Sequence, residues 1–293
     1  MESKFFTSSV IDDKTTFITG LAGENCILFE GDHHALLFDS LTGAGSLKAY
    51  VRELTDLPII PVLSHAHPDH EGGFFEFGAC YMHPDDIPLL YSDFSAGSES
   101  RLEFVNNEAP YAPPHRTRAR HEDIISPCAI KAYPVYEGRI FDLGGRKLEV
   151  IHVPGHTRGS IVLLERELHS LYSADAINPN TLLHLPGSTT VEEYKKSVEH
   201  LKTYQVLFDR VYIGHSTEAL PASIVDDAVL VCSKILDGED SAIPEEGFGG
   251  SYFRAMEVDS EFKPAYGGYS NICYLKDRIH GRSTPYHDFV EIL

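Results

Sequence analysis

The stretch that most constrains this 293-residue chain is Ser64-His65-Ala66-His67-Pro68-Asp69-His70-Glu71-Gly72-Gly73. Three imidazoles and a carboxylate fall within six residues, in the order H-x-H-x-D-H. The run before it, Ile59-Ile60-Pro61-Val62-Leu63, is short, apolar and bounded by Pro58, the pattern of a buried strand. The paired glycines, followed by Phe74-Phe75-Glu76-Phe77, predict a tight turn into a new element. The polar cluster is therefore expected on a loop at the C-terminal end of a strand, where open α/β sheets build their sites. Imidazole and carboxylate donors with no cysteine in the motif suit zinc and similar divalent ions. Alternate residues of an extended loop point opposite ways, so His65 and His67 need a bent loop to reach one ion. Asp69 and His70 then face a second position, and two ions roughly 3.5–4 Å apart fit such an arrangement. The bland alternative, a histidine-rich surface loop, sits poorly with four ligand-type residues at fixed offsets behind a buried strand.

This motif resembles the signature of the metallo-β-lactamase-fold superfamily. Segments similar to the rest of that signature follow in order: Val153-Pro154-Gly155-His156-Thr157-Arg158-Gly159-Ser160, then Leu171-Tyr172-Ser173-Ala174-Asp175, then Val211-Tyr212-Ile213-Gly214-His215. The likeness runs over roughly residues 16–235. It implies an α/β fold, an αββα sandwich of two central mixed β-sheets flanked by helices, in a single domain over 1–293. It also implies that His65, His67 and His156 hold one ion and Asp69, His70 and His215 the other, with Asp175 between them. Asp39 would brace the metal loop from behind, as outer carboxylates orient ligand imidazoles.

Read in order, the chain begins with apolar strand-like runs at Thr16–Ile18, Asn25–Glu30 and Ala35–Asp39, the last two joined by a Gly31-Asp32 hairpin signal. Ser46 caps a helix through Leu54 whose Leu47, Tyr50, Val51 and Leu54 share a face. Ala79–Met82 reads as another strand. Residues from about 91 to 128 form an inserted loop region, polar and with little periodicity beyond Leu102–Val105. Long loops in compact domains are often lids or binding loops. It carries His115-Arg116-Thr117-Arg118-Ala119-Arg120-His121, so Arg116, Arg118 and Arg120 are candidates for an anion clamp. A solvated or subunit-contact segment is the plainer reading of the same residues. Lys147–Val153 delivers the second motif, and Ile161–Leu164 with Leu171–Ser173 reads as a hairpin pair. His83 and His152 read as packed rather than ligating. Beyond Asp175, Asn178 and His184 are candidate substrate contacts. Thr190 starts an amphipathic helix with Val191, Tyr194, Val198, Leu201 and Tyr204 on one face, and another runs from about Pro221 to Leu236. A C-terminal extension from about 238 to 293 holds two strand-like runs, Tyr252–Met256 and Asn271–Leu275.

The formal charge of −20 argues against a nucleic-acid partner. Five scattered cysteines with no C-x-x-C pair point to reduced thiols and a cytoplasmic setting. No apolar run approaches the roughly 18–20 residues of a spanning helix, so no membrane partner is expected. The resemblance implies a metal-dependent hydrolase of EC 3 type, with two divalent ions, zinc ahead of iron or manganese. A metal-bridging hydroxide would attack an ester, thioester, lactone or amide of a small molecule, and Asp69 would also serve as catalytic proton carrier. The expected partners are that substrate, anionic if the arginine clamp operates, and a second copy of the chain as a homodimer. Zinc β-lactamases lack the bridging aspartate, which disfavours β-lactams. Quorum-quenching lactonases carry a tyrosine where Asn178 stands. The alternatives on the same fold are an iron-dependent oxidoreductase of persulfide dioxygenase type, a phosphodiesterase, or a non-catalytic binding protein. His67 stands where flavodiiron proteins have glutamate, and retention of all seven donors disfavours the binding protein.

Overall fold

The computed structural model describes residues 3–110, 112, 117–260 and 263–283. Its first sheet contains β1 (Thr7–Asp12), β2 (Thr15–Thr19), β3 (Asn25–Glu30), β4 (Ala35–Phe38), β5 (Ile59–Val62), β6 (Ala79–Met82) and β7 (Lys131–Pro134), side by side in chain order. β1 to β4 run antiparallel, and β4 to β7 run parallel. Next come β8 (Ile140–Asp142), β9 (Lys147–His152), β10 (Ile161–Glu165), β11 (Ser170–Ala174), the two-residue β12 (Thr181–Leu182), β13 (Arg210–Ile213) and β14 (Leu220–Pro221). The second sheet has the order β14-β13-β11-β10-β9-β8, with β11 and β13 parallel and the other pairs antiparallel.

Side-chain alternation explains how these strands make layers. Phe17, Ile27, Phe29, Leu36 and Phe38 point to a core shared with Val150, Ile161, Leu163 and Tyr172 of the second sheet. Their neighbours Ile18, Leu28 and Leu37 point the other way, onto Leu47, Tyr50 and Val51 of helix α1 (Leu47–Leu54). On the far side, Ile151, Val162 and Leu164 pack on two long helices whose apolar faces include Val198, Leu201, Val225 and Val231. Strands buried on both faces read as continuous apolar runs because each parity feeds a different core. The result is helix, sheet, sheet, helix, as the resemblance implied.

Four short helices lie between these strands and the second half: α2 (Pro68–Glu71), α3 (Ile87–Leu90), α4 (Asp93–Ala96) and α5 (Ser98–Glu108). They correct two expectations. Asp69 and His70 sit on one helical turn, not on open loop, because Pro68 at its start presets the helical φ. The 91–128 region is largely helical over 93–108. The α5 sequence is too polar for a recognisable core stripe, yet Arg101, Val105 and Ala109 bury on one face against Leu21, Ala44 and Ile124. The Arg101 guanidinium donates to the carbonyls of Ala96, Thr42 and Ile125 and is fully buried, tying α5 to the turn behind the metal motif.

The two outer helices of the second half are α6 (Val191–Lys202) and α7 (Ile224–Asp237). Thr190 and Glu193 close a reciprocal capping box on α6. The C-terminal region adds β15 (Ile243–Gly247), β16 (Gly250–Arg254) and β17 (Ile272–Tyr274), which join β12 in a third sheet ordered β12-β17-β16-β15. β16 and β17 are the two runs legible from sequence, and their antiparallel pairing aligns Phe253 with Tyr274. β15, with the composition Ile-Pro-Glu-Glu-Gly, has no strand signal of its own. Among the described residues no helix is long and apolar enough to cross a membrane, and all five cysteines are free.

Candidate metal centre

Asp39, His65, His156, Asp175 and His215 each lie one to four residues past the end of a strand, β4, β5, β9, β11 and β13 respectively. These ends converge at one side of the sandwich. Donor atoms of His65, His67 and His156 gather in one group, and those of Asp69, His70, Asp175 and His215 in a second. The Asp175 Oδ2 atom lies 3.8 Å from His156 Nε2, 3.7 Å from His70 Nε2 and 3.2 Å from His215 Nε2, so it stands between the groups. Asp69 Oδ2 is 3.4 Å from His70 Nε2 and 3.3 Å from His215 Nε2.

The hydrogen bonds behind the rings set which nitrogen faces inward. His67 Nε2 reaches the Pro186 carbonyl at 3.0 Å and His156 Nδ1 the Leu182 carbonyl at 2.8 Å. A carbonyl only accepts, so both of those nitrogens carry protons. The atoms left, His67 Nδ1 and His156 Nε2, then present lone pairs to each other at 2.8 Å. A ring proton would relieve that opposition, but burial lowers the pKa of both rings, that of His67 to about 3. A metal cation is the remaining way to satisfy them. His70 Nδ1 lies 2.9 Å from Asp39 Oδ2, and the Ser64 hydroxyl donates to the same carboxylate while sitting 2.9 Å from His65 Nδ1. Asp39 thereby orients two imidazoles, one directly and one through Ser64. Their inward atoms, His65 Nε2 and His70 Nε2, are buried with no hydrogen-bond partner, as is Asp175 Oδ1. Buried polar atoms are almost always paired, so these orphans mark places for a ligand that accepts electron pairs. The donor set therefore fits divalent ions.

Electrostatics separates the two groups. Burial and mutual repulsion hold His65 well below its ordinary pKa. In the second group burial works against charge, but mutual attraction outweighs it: the carboxylates raise His70 and His215, and those imidazoles hold Asp69 and Asp175 well below the usual range. That cluster is built to keep its carboxylates ionised and to attract positive charge. Backbone strain collects here too. Asp39 has φ 67° and Ala174, next to Asp175, has φ 45°, left-handed values that cost a non-glycine residue on the order of 1 kcal/mol. A Cβ at Gly214 would come within 2.5 Å of Asp175 Oδ1, which leaves glycine the residue that fits before His215.

One further residue ties the motifs together. Asp86 is buried, and its carboxylate accepts from Ala66 N at 3.0 Å, Gly159 N at 2.7 Å and Thr157 Oγ1 at 2.7 Å. It joins the loop of His65 and His67 to the loop of His156. In sequence it is one of two aspartates opening a short helical turn, and only its partners distinguish it.

A cavity of about 190 Å³ opens over the two groups, lined by Phe104, Glu108 and Phe248 as well as His67, Asp175 and His215. The inserted region thus reaches the site, but through α5. Arg118 and Arg120 are exposed, with Arg120 beside Glu122, and neither lines this cavity. Arg116 lies outside the described residues. Asn178 is buried and its Oδ1 accepts from Asn180 N, closing a turn. His184 stacks on Tyr252 with ring centroids 4.2 Å apart and reaches the Phe248 carbonyl at 2.9 Å. It supports the β15–β16 turn and does not line the cavity. Side-chain volume and tertiary position, not residue type, decide these placements. His83, Asp85 and His152 form a third cluster, in which the imidazoles of His83 and His152 stack at 3.8 Å and 13°. In-plane lone pairs of two parallel rings run side by side and do not converge, so these histidines pack, as expected from the sequence.

Residues 19–215 match the family model described as the metallo-beta-lactamase superfamily. The curated relatives include "Acyl-coenzyme A thioesterase MBLAC2" of Gallus gallus, 29% identical over 202 residues that cover 65% of this chain and 72% of that protein. The protein of the same name from Homo sapiens is 26% identical over 205 residues, with the same coverage. Among solved structures, the sec-alkylsulfatase Pisa1 from Pseudomonas sp. has a TM-score of 0.61 and 16% identity, covering 80% of this chain. This chain spans only 42% of the length of that protein. A metallo-beta-lactamase from Pontibacter korlensis has a TM-score of 0.52 and 14% identity, covering 78% of this chain and 99% of its own. At such identities the likeness to these structures is one of fold.

Proposed function

Because this chain belongs to the metallo-β-lactamase superfamily, we propose that it is a two-metal hydrolase that cleaves a thioester, or a closely related carboxyl ester, of a small molecule. The observation that carries the reading is the pair of donor groups with their lone pairs and orphaned atoms turned inward. The relatives named acyl-coenzyme A thioesterase favour the thioester. His65, His67 and His156 would hold one ion, Asp69, His70 and His215 the other, and Asp175 would touch both. With no cysteine among the donors, zinc suits the set. Bound in such a site, divalent ions polarise a carbonyl and bring the ionisation of water near neutrality.

The remaining work falls to side chains already in place. Asp39, directly and through Ser64, keeps His70 and His65 in the tautomers that donate from Nε2. The carbonyls of Pro186 and Leu182 do the same for His67 and His156. Phe94, with its ring 5.6 Å from that of His67, shields that edge from water. Hydrolysis adds water across the acyl–sulfur bond and yields a carboxylate, a thiol and one proton. Asp69, beside the cavity, is positioned to accept one proton of the attacking water and pass it to the departing sulfur, while the second proton leaves the new carboxylic acid for solvent.

The test is metal content against turnover. The zinc-loaded protein is assayed on a panel of thioesters and esters, stripped with chelator, and reloaded. Turnover that disappears with the metal and returns with it is the expected result. Undiminished turnover in the stripped protein, or failure of the protein to take up metal, would defeat the reading.

A further inference from the structure

The cavity over the donor groups opens in two directions, one marked by phenyl rings between polar side chains and the other by hydroxyl groups. On one side it shares Phe104, Glu108 and Phe248 with a chamber of about 510 Å³ that Phe94, Ser100 and Asn107 also line. Phe248 meets Phe104 edge to face at 5.3 Å and Phe94 at 5.9 Å, so three phenyl rings run outward from His67. On the other side it shares Glu108 and His215 with a chamber of about 540 Å³, lined by Thr7, Ser9, Thr19, Asn25, Ser216 and Thr217. That wall is rich in hydroxyl and amide groups, and no lysine or arginine is among the described residues of either chamber.

Both aromatic edges are held rigidly. Ser100, Glu103, Phe104, Asn107 and Glu108 form one stripe of α5 at helical spacing, and Arg101, bordering that stripe, pins the helix to the carbonyls of Thr42 and Ile125. Phe248 sits at the two-residue turn of the β15–β16 hairpin, where Gly247 pairs with Gly250. His184 grips its carbonyl. Gly249 has φ +85°, and a Cβ there would come within 2.4 Å of Leu185 Cδ2. Rigid walls discriminate between substrates better than mobile ones, because less ordering is lost on binding.

We propose that the two chambers sort the two halves of the substrate: the aromatic chamber takes an apolar acyl group, and the hydroxyl-lined chamber takes an uncharged polar leaving group. Phe104 and Phe248 determine acyl specificity. Glu108, at the junction of all three cavities, selects against an anionic leaving group. This rests on the hydrolase reading above and goes beyond it, since it places a neutral thiol or alcohol ahead of a polyphosphorylated one. An exposed carboxylate at the mouth of a site acts on a substrate phosphate over about 8–10 Å at ordinary salt.

The experiment compares acyl thioesters of N-acetylcysteamine with those of coenzyme A on the zinc-loaded protein, with acetyl and octanoyl groups on each. Wild type is expected to show the higher kcat/KM on the N-acetylcysteamine series. Glu108→Gln should raise the ratio of coenzyme A to N-acetylcysteamine kcat/KM by about fivefold, and Glu108→Lys by more. Phe104→Ala and Phe248→Ala should each lower the octanoyl-to-acetyl ratio by about tenfold. Calorimetric binding of the S-ethyl and S-octyl thioethers of N-acetylcysteamine and coenzyme A, which do not hydrolyse, gives the corresponding ratios without turnover. If no thioester or ester is cleaved, the hydrolase reading fails and the binding ratios alone decide the sorting. A wild-type preference for the coenzyme A series that Glu108→Lys leaves unchanged overturns the role of Glu108. Octanoyl-to-acetyl ratios unmoved by both phenylalanine variants overturn the aromatic chamber.

Discussion

Replacing Asp86 by alanine removes the acceptor for three buried donors, Ala66 N, Gly159 N and Thr157 Oγ1. A buried donor left unpaired costs about 1–3 kcal/mol, so three amount to about 6 kcal/mol. Burial also penalises the ionised carboxylate more than its hydrogen bonds repay, which raises its pKa to about 6. At 1.36 kcal/mol per pKa unit, relief of that penalty returns about 3 kcal/mol at neutral pH. The expected net loss for Asp86→Ala is therefore about 3 kcal/mol. Asp86→Asn is the control. One amide N–H would oppose a backbone N–H, at about 2 kcal/mol, and the same relief offsets it. Asparagine should thus lie within about 1 kcal/mol of wild type. Denaturant unfolding of the metal-free proteins measures both. Competition with a chromophoric chelator measures zinc affinity, which should fall by about 10–100-fold in the alanine variant as the two histidine loops come apart. An alanine variant that matches wild type in both measurements would refute the bracing role of Asp86.

The same carboxyl predicts a pH dependence. Its folded pKa is raised, so the folded protein holds this proton more tightly than the unfolded chain. Its stabilising contribution is full below about pH 4 and is lost as pH rises through about 6, and Asp86→Asn should flatten that limb in metal-free unfolding curves. Arg101→Met should cost about 3–5 kcal/mol in denaturant unfolding, because it strands the carbonyls of Ala96, Thr42 and Ile125 in a dry site. Gly249→Ala should lower stability by about 1–2 kcal/mol, read by thermal unfolding, since it combines a left-handed φ with a clash against Leu185. Arg118→Ala and Arg120→Ala should leave KM unchanged for any accepted substrate, and a rise above about threefold in steady-state kinetics would bring those side chains to the substrate.

Strands written as apolar runs were legible. Asn25–Glu30 and Ala79–Met82 appear with the bounds their composition suggests, and Ser46 and Thr190 cap the helices they were expected to cap. Those signals are local: a buried pleat needs apolar runs, and a helix start needs a side-chain acceptor. β1, β7 and β15 were not legible, because half-exposed edge strands carry little hydrophobic pattern and exist only through their partners. Helix α5 was missed for a related reason, since its buried stripe contains an arginine whose charge is made tolerable by three carbonyls and the nearby Glu71.

Residue order alone supplied the chemistry on offer: seven imidazole and carboxylate side chains, four of them just past a strand end and His67, Asp69 and His70 at the helical turn that follows β5. Tertiary structure alone decided what surrounds them. Asp86 joins loops about ninety residues apart, Phe104 and Phe248 meet over the site from the two halves of the chain, and the arginines 118 and 120 face solvent. Contacts of that kind depend on how three sheets and their helices stack, and no short-range pattern in the chain records them.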